Sequence, residues 1–176
     1  MKHVFFLALA LFTTLLFAKE VNVHKHTYPT TESAYETEWN LQGTYHFKYK
    51  IFFSVFTGAY YQPENQKGER LVFTYTRNIT ADDLRAQAMK HLQNTQSDEI
   101  MEKYKTDLEK IQAAYEDVSD GDSYALTVLP EKGIWLARNG ETVFTSEDPN
   151  FGDWYLDIWL GNPPIDKGLK KALVNK

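Results

Sequence analysis

An alternation of apolar and polar residues through positions 39–55 constrains the fold of this chain more than any other feature. Its even positions from 40 to 50 are all polar. Its apolar odd positions are Trp39, Leu41, Tyr45, Phe47, Tyr49, Ile51, Phe53 and Val55. A period of two predicts a β-strand with one face against a core. One strand of this length would measure roughly 55 Å, beyond the usual range, so we expect a bend or break at Gly43 and near Lys50-Ile51.

A second strand and two helices are predicted after this run. Residues 71–76 alternate again, and residues 80–83 form a capping-box variant that predicts a helix beginning near Ala81. Apolar residues then recur at helical spacing through residues 84–92, and a second stripe extends from 101 to 118. These two amphipathic helices should cover the apolar face of the first run.

Strands return in the C-terminal part and are followed by short helices. Residues 124–129 resemble a strand, and Asn139-Gly140 predicts a tight type I′ turn between two further strands. A helical stripe through residues 151–159 should stop at Gly161, and a last helix is expected over 166–173. The predicted class is therefore α+β, with an open-faced, largely antiparallel β-sheet covered on one face by helices.

The N-terminal 36 residues divide into two parts. Residues 1–18 have a short basic start, an apolar stretch too short to span a membrane and a small residue at their end, which indicates a signal peptide and a mature chain beginning at Lys19. We therefore expect a periplasmic or secreted protein, with no stable membrane span after cleavage. Residues 19–36 are expected to be an exposed lead-in with at most one short strand, and residues 37–176 to form the domain.

Composition excludes several functional classes. The absence of cysteine excludes disulfides, thiolate metal sites and Cys nucleophiles. A formal net charge of −5 without a basic run argues against nucleic acid as a partner. His24 and His26 lack further ligands at useful spacing, so no metal site is predicted. No phosphate-binding loop or hydrolase motif occurs, and no cofactor is expected.

Several short segments together resemble the bacterial chalcone isomerase-like family. The most specific is Ile158-Trp159-Leu160-Gly161, with Pro164 and Leu169 after it. The others are residues 121–124, 130–133, Asn139-Gly140, 41–43, the run to Tyr60-Tyr61, and 75–79. The resemblance covers residues 39–174, nearly all of the expected mature chain. It implies a sheet with helices laid across it and a ligand cleft between the two layers.

The resemblance does not extend to the catalytic residues. The plant enzymes of the family use an Arg on an early strand, a nearby Thr, and Tyr and Asn side chains to close a flavanone ring. Matching the opening strands places Phe47 at the position of the Arg and Val55 at that of the Thr. Because both are apolar, the main stabiliser of developing negative charge is missing. We predict no catalytic residues and no chalcone cyclisation.

Three functions follow as alternatives. The first is a non-catalytic protein that binds a small apolar or amphipathic, fatty-acid-like ligand between sheet and helices. The second is an isomerase of unknown substrate, and the third a structural or interaction protein whose cleft is a filled core. The residues expected to bind the ligand are Tyr45, Phe47, Tyr49, Val55, Tyr75 and Arg77. For Arg77 a purely structural ion pair with an acid such as Asp82 is the alternative.

Overall fold

A computed structural model describes residues 19–50 and 52–174. The predicted signal peptide, residues 1–18, lies outside the described residues. The strands are β1 (Glu20–Val23), β2 (His26–Pro29), β3 (Thr31–Ala34), β4 (Thr37–Tyr49), β5 (Phe53–Gln62), β6 (Glu69–Tyr75), β7 (Ser123–Leu129), β8 (Gly133–Arg138) and β9 (Glu141–Ser146). The helices are α1 (Ala81–Thr95), α2 (Asp98–Lys103), α3 (Lys105–Ala113), α4 (Pro149–Leu160) and α5 (Lys167–Val174). No helix within these ranges is long and apolar enough to cross a membrane.

The main sheet has seven strands in the order β3-β4-β5-β6-β7-β8-β9, and each neighbouring pair is antiparallel. Strand order follows chain order, with α1, α2 and α3 inserted between β6 and β7. Most of the core lies between the helices and one face of this sheet. The predicted α+β class and the antiparallel, helix-covered sheet are confirmed.

The expectation of at most one short strand in residues 19–36 is wrong. β1 and β2 form a separate antiparallel hairpin, and β3 pairs with β4 at the edge of the main sheet. Tyr28 in β2 is only 4% exposed and packs with Trp39 and Tyr61 on the sheet face opposite the helices. The sequences of these strands carry little apolar signal. Pairing of β1 with β2, pairing of β3 with β4 and burial of the Tyr28 side chain stabilise them instead.

The long alternating run is interrupted as predicted, near Lys50 and at Gly43. The interruption at Gly43 determines which side chains of β4 face the helices. The chain reverses between β4 and β5, where Lys50 has a φ of 48°. Earlier in β4, a register shift between Leu41 and Gly43 changes the face of the sheet on which the odd-numbered residues lie. Trp39 and Leu41 lie on the face opposite the helices, whereas Tyr45 packs with the helix-side core.

α1 begins at Ala81 as predicted, because the Thr80 hydroxyl accepts a hydrogen bond from the Asp83 backbone N–H. The second apolar stripe is not one helix. It breaks at Tyr104 into α2 and α3, and α3 ends at Ala113. Val118 then exchanges two backbone hydrogen bonds of 2.9 Å with Ile79, which draws the chain out of the helical path.

The helices are distributed over the sheet differently from the prediction. α4 packs on strands β7 and β8, with Phe151, Tyr155 and Ile158 fully buried. α5, rather than α1 or the helix that follows it, lies directly against β4. Gly43 permits this contact, since a Cβ there would lie 2.5 Å from the carbonyl oxygens of Ala172 and Leu173. The expected cover of β4 by the two earlier helices is therefore wrong.

Candidate functional site

A cavity of about 610 Å³ lies between the helix-facing side of the sheet and the helices. β4, β5 and β6 supply one wall, and α1, α4 and α5 supply another. Its volume is within the range of about 300 to 1,000 Å³ that small-molecule sites occupy. The cleft between sheet and helices that the family resemblance implies is therefore present, and a core filled with side chains does not describe this region.

The structure brings five of the six sequence-predicted ligand residues together on the cavity wall: Phe47, Tyr49, Val55, Tyr75 and Arg77. Val55 reaches it because the strand register shifts between the pairs Phe47–Phe56 and Lys48–Ser54, which leaves Val55 without a partner residue in β4. Tyr45 is not part of the wall. Its hydroxyl donates a hydrogen bond of 3.3 Å to the Asp166 carboxylate beside the cavity.

Three tyrosines, Tyr75, Tyr115 and Tyr124, form the buried inner end of the cavity. The Tyr115 hydroxyl accepts a hydrogen bond from Tyr155 at 3.3 Å, and the Tyr124 hydroxyl accepts one from the Glu116 backbone N–H at 2.8 Å. No residue in the described ranges forms a hydrogen bond with the Tyr75 hydroxyl. Burial raises the pKa of all three phenols, so they are neutral groups that can donate a hydrogen bond.

Sequence reasoning missed Tyr115 and Tyr124 as site residues. Tyr115 belonged to the helical stripe of residues 101–118, which was interpreted as core, and Tyr124 began a predicted strand. The two rings lie 4.9 Å apart by their centroids, and Tyr124 also contacts the Tyr75 ring edge-to-face. No sequence signal marked the three tyrosines as neighbours, since α1, α2 and α3 separate Tyr75 from Tyr115 and Tyr124 along the chain.

Some of the residues that line the cavity are exposed to solvent and form its mouth. They include Tyr49, Arg77, Asp83 and Ile165. The ion pair expected between Arg77 and Asp82 is not present, because Asp82 pairs with Arg85 at 2.6 Å. Arg77 forms no ion pair with any residue that the structure describes. It is the one lysine or arginine side chain among the lining residues of those ranges, and its guanidinium is therefore available to an anionic group at the mouth.

Two carboxylates share the mouth with Arg77: Asp83 lies in the first turn of α1, and Asp166 caps α5. Asp83 accepts a hydrogen bond of 2.9 Å from the Thr80 hydroxyl at the start of α1. Asp166 accepts one of 2.6 Å from the Leu169 backbone N–H at the start of α5. The positive ends of the helix dipoles partly offset these charges, so the carboxylates oppose an anionic ligand less than free carboxylates would.

Comparison with known proteins agrees with a fold in which helices cover a β-sheet. The sequence matches the chalcone isomerase-like family over residues 20–175. The chain belongs to this family. Among solved structures, its fold is similar to that of the Arabidopsis thaliana fatty-acid binding protein AtFAP1, with a TM-score of 0.66 and 12% sequence identity over 88% of this chain and 95% of that one. At this identity the likeness concerns the fold alone. No curated protein matches the sequence.

In this chalcone isomerase-like protein, Phe47 and Val55 both face the cavity, where the resemblance placed a missing Arg and Thr. The Phe47 ring stacks on Phe56 with centroids 5.0 Å apart and planes 15° apart. The wall at this position is therefore apolar and aromatic. A negative charge developing there would find neutral phenols as hydrogen-bond donors, because the one cation among the described lining residues, Arg77, lies at the exposed mouth.

The chalcone isomerase-like fold also brings three histidines together on the opposite face of the sheet. His24 stacks on His46 with centroids 4.5 Å apart, and His26 bonds to the Thr57 hydroxyl at 2.8 Å. Sequence reasoning considered only His24 and His26. Even so, no group of three or more His, Cys, Asp or Glu side chains in the described part of the chain is arranged to hold a metal.

Proposed function

We propose that this chalcone isomerase-like protein is a non-catalytic binding protein for a small apolar or amphipathic ligand of the fatty-acid type. The observation that carries the proposal is the open cavity of about 610 Å³, whose walls are apolar and aromatic. Burying a hydrocarbon chain there is favourable by about 0.8 kcal/mol for each methylene. The fold shared with a fatty-acid binding protein supports the same reading.

The charges of the site give the ligand a direction. Ile158 and Leu169 line the cavity and are fully buried, so a charged group beside them would lose its hydration without gaining a cation. Arg77 at the exposed mouth presents a guanidinium that can pair with a carboxylate. We therefore place the acid group at the mouth and the hydrocarbon tail in the buried part of the cavity beside Ile158 and Leu169.

The Tyr75 hydroxyl adds a second polar contact near the inner end. Tyr75 is only 6% exposed and lines the cavity, and no described residue bonds to its hydroxyl, so the hydroxyl is free to bond to a group inside the cavity. A ligand with a weakly polar group along its chain, such as a double bond, a hydroxyl or a carbonyl, could satisfy it. Ordered water is the alternative partner in the absence of such a group.

Titration with a matched ligand pair tests the proposal. A saturated fatty acid and the alcohol of equal chain length are titrated into the full chain by calorimetry, after mass spectrometry of the small molecules that copurify. Arg77→Gln should weaken binding of the acid by about fivefold, the upper range for an exposed ion pair, and leave the alcohol unchanged. Lys90→Gln, an exposed cation on α1 outside the lining, is the matched control.

Two results would contradict the proposal. If neither the acid nor the alcohol bound, a ligand with a hydrocarbon chain would be excluded. An equal loss of affinity for acid and alcohol in Arg77→Gln would show that Arg77 does not act on the carboxylate, and would overturn the proposed orientation of the ligand.

We also propose that the protein is exported to the periplasm or medium. The support is the sequence of residues 1–18, with its basic start and apolar stretch. Sequencing the N-terminus of exported protein should find Lys19 or a residue close to it. Recovery of exported material that begins with Met1 would refute cleavage.

A further inference from the structure

The hairpin that joins β4 to β5 ends in exposed aromatic side chains. Tyr49 is 55% exposed, Phe52 is 87% exposed and Phe53 is 56% exposed. Most other aromatic side chains in the described ranges are buried or half-buried. We call the described residues Lys48, Tyr49, Lys50, Phe52 and Phe53 the hairpin tip. Apolar surface of this kind, concentrated at one projection, marks a site of interaction.

The hairpin tip is basic in an otherwise acidic protein. Lys48 and Lys50 are both exposed, and the Lys50 ammonium lies 5.4 Å from the centre of the Tyr49 ring. Residues 39–61 contain no Asp or Glu, although the chain has 24 acidic residues and a net charge of −5. Neither lysine forms an ion pair with another residue of the described ranges. An anionic surface would therefore attract this end of the molecule and repel most of the rest.

The hairpin tip lies next to the mouth of the cavity. Tyr49 belongs to both, since it is exposed and lines the cavity. Ile165, on another segment of the same mouth, is also exposed at 39%. A surface that binds the tip would thus be brought close to the opening of the cavity.

We propose that the hairpin tip binds the surface of an anionic phospholipid bilayer. The rings of Tyr49, Phe52 and Phe53 enter the interfacial layer, where aromatic side chains are favoured, and the two ammonium groups contact headgroup phosphates. The cavity mouth then lies at the bilayer surface. Membrane binding stands without the proposed ligand, whereas transfer of a fatty acid between bilayer and cavity rests on the proposed function.

The area of the hairpin tip favours a bilayer over a second protein. Three aromatic side chains of about 150 to 250 Å² each, exposed to this extent, offer roughly 400 Å². A stable protein interface needs about 800 Å² from each partner. Partial insertion of a few rings together with two lysine contacts is instead the scale of reversible membrane association.

Vesicle sedimentation with the full chain is the first test. Vesicles of phosphatidylglycerol and phosphatidylcholine are compared with vesicles of phosphatidylcholine alone. Lys48→Gln/Lys50→Gln should lower partition onto the anionic vesicles roughly 20-fold, and Phe52→Ser/Phe53→Ser at least about tenfold. The matched controls are Lys67→Gln, in the loop at the opposite end of β5, and Val143→Ser, an exposed apolar residue on β9 at the far edge of the sheet.

A local probe separates the hairpin tip from any other lipid contact, including one made by residues 1–18. The chain has no cysteine, so a single cysteine at Phe52 or at Val143 can carry an environment-sensitive fluorophore. The label at position 52 should shift to the blue on anionic vesicles, less strongly in high salt, and the label at 143 should not.

Three outcomes would overturn the proposal. The first is an unchanged spectrum at position 52 on anionic vesicles. The second is equal binding by the tip variants and their controls. The third is dimerisation through the tip in sedimentation velocity without vesicles, since that result would assign the aromatic rings to a second copy of the chain. A tip variant that no longer binds vesicles but still binds the fatty acid would show that membrane binding and ligand binding are separate properties, so each proposal can fail without the other.

Discussion

The Tyr45 hydroxyl donates a hydrogen bond of 3.3 Å to Oδ1 of Asp166, and the same oxygen accepts the Leu169 backbone N–H at 2.6 Å. One carboxylate therefore joins β4 to the first turn of α5. Leu169 lines the cavity, so this connection also positions part of the cavity wall. Tyr45, which the sequence predicted to contact the ligand, thus helps to position α5 beside the cavity.

Replacement of Asp166 should destabilise the protein more than replacement of Tyr45. Tyr45→Phe removes one neutral-donor hydrogen bond and should cost about 1 kcal/mol or less. Asp166→Ala removes that bond and the helix cap, and should cost about 1 to 2 kcal/mol. Urea unfolding measures both changes, with Lys167→Ala as the neighbouring control. A larger loss for Tyr45→Phe would contradict the capping role of Asp166.

Gly43→Ala should displace α5 from β4. The added Cβ would lie 2.5 Å from two backbone carbonyl oxygens of α5, which have no rotamer to change. We expect a loss of about 1 to 3 kcal/mol in unfolding free energy, together with weaker ligand binding. Gly58→Ala is the matched control on β5, because its Cβ would meet the Phe73 side chain at 3.3 Å. Equal stability losses in the two variants would contradict the close approach at Gly43.

Phe47→Trp should reduce ligand affinity with little change in stability. Phe47 faces an open cavity, so the larger indole occupies free volume that a ligand would otherwise fill. Phe144→Trp provides the contrast. Phe144 is 7% exposed within the packed core, and overfilling there should cost about 1 to 3 kcal/mol. A melting-temperature loss at Phe47 as large as that at Phe144 would indicate a closed core.

Acid should weaken the packing of the β1-β2 hairpin on the sheet through two histidines. Burial, and next the charge of Lys25, lower the pKa of His26 from 6.5. Burial, and next His24, lower the pKa of His46 from 6.5. Because the folded state favours the neutral imidazoles, their contribution is fully present above pH 6.5 and is lost as the pH falls through the lowered values.

Comparison of the wild type with His26→Gln/His46→Gln isolates this effect. Burial raises the pKa of Glu69, Asp153 and Asp157, so protonation of these acids stabilises the fold as the pH falls and opposes the histidines. Their contribution cancels in the difference between the two proteins. Melting temperatures from pH 7 to pH 5 should show the wild type losing stability relative to the variant. A constant difference would refute the assignment.

The full chain should not cyclise a chalcone above the rate in buffer. Phe47 presents an aromatic ring where the plant enzymes of the family are expected to carry an Arg, and Arg77 lies at the exposed mouth instead. An absorbance assay run beside an active plant chalcone isomerase measures the rate. Robust turnover by this protein would show that another group stabilises the developing charge.

Local signals predicted most of the elements correctly. Thr80 caps α1, Asn139 and Gly140 adopt positive φ angles in the β8-β9 turn, and the run of residues 39–55 breaks beside Lys50. Each of these features depends on residues within a few positions of one another. The same locality explains the errors, because Tyr104 interrupts an apolar stripe whose periodicity continues through it.

Sequence by itself determined the α+β class, the resemblance to the chalcone isomerase-like family and the apolar residues at positions 47 and 55. Only the tertiary structure decided on which face of the sheet each residue of β4 lies. The register shift before Gly43 depends on the pairing of β4 with β5 and on its packing against α5. It also decided that Val55 enters the cavity and that Tyr75, Tyr115 and Tyr124 meet at its inner end. A cavity is the space that packing leaves between elements distant along the chain, and no local pattern encodes that space.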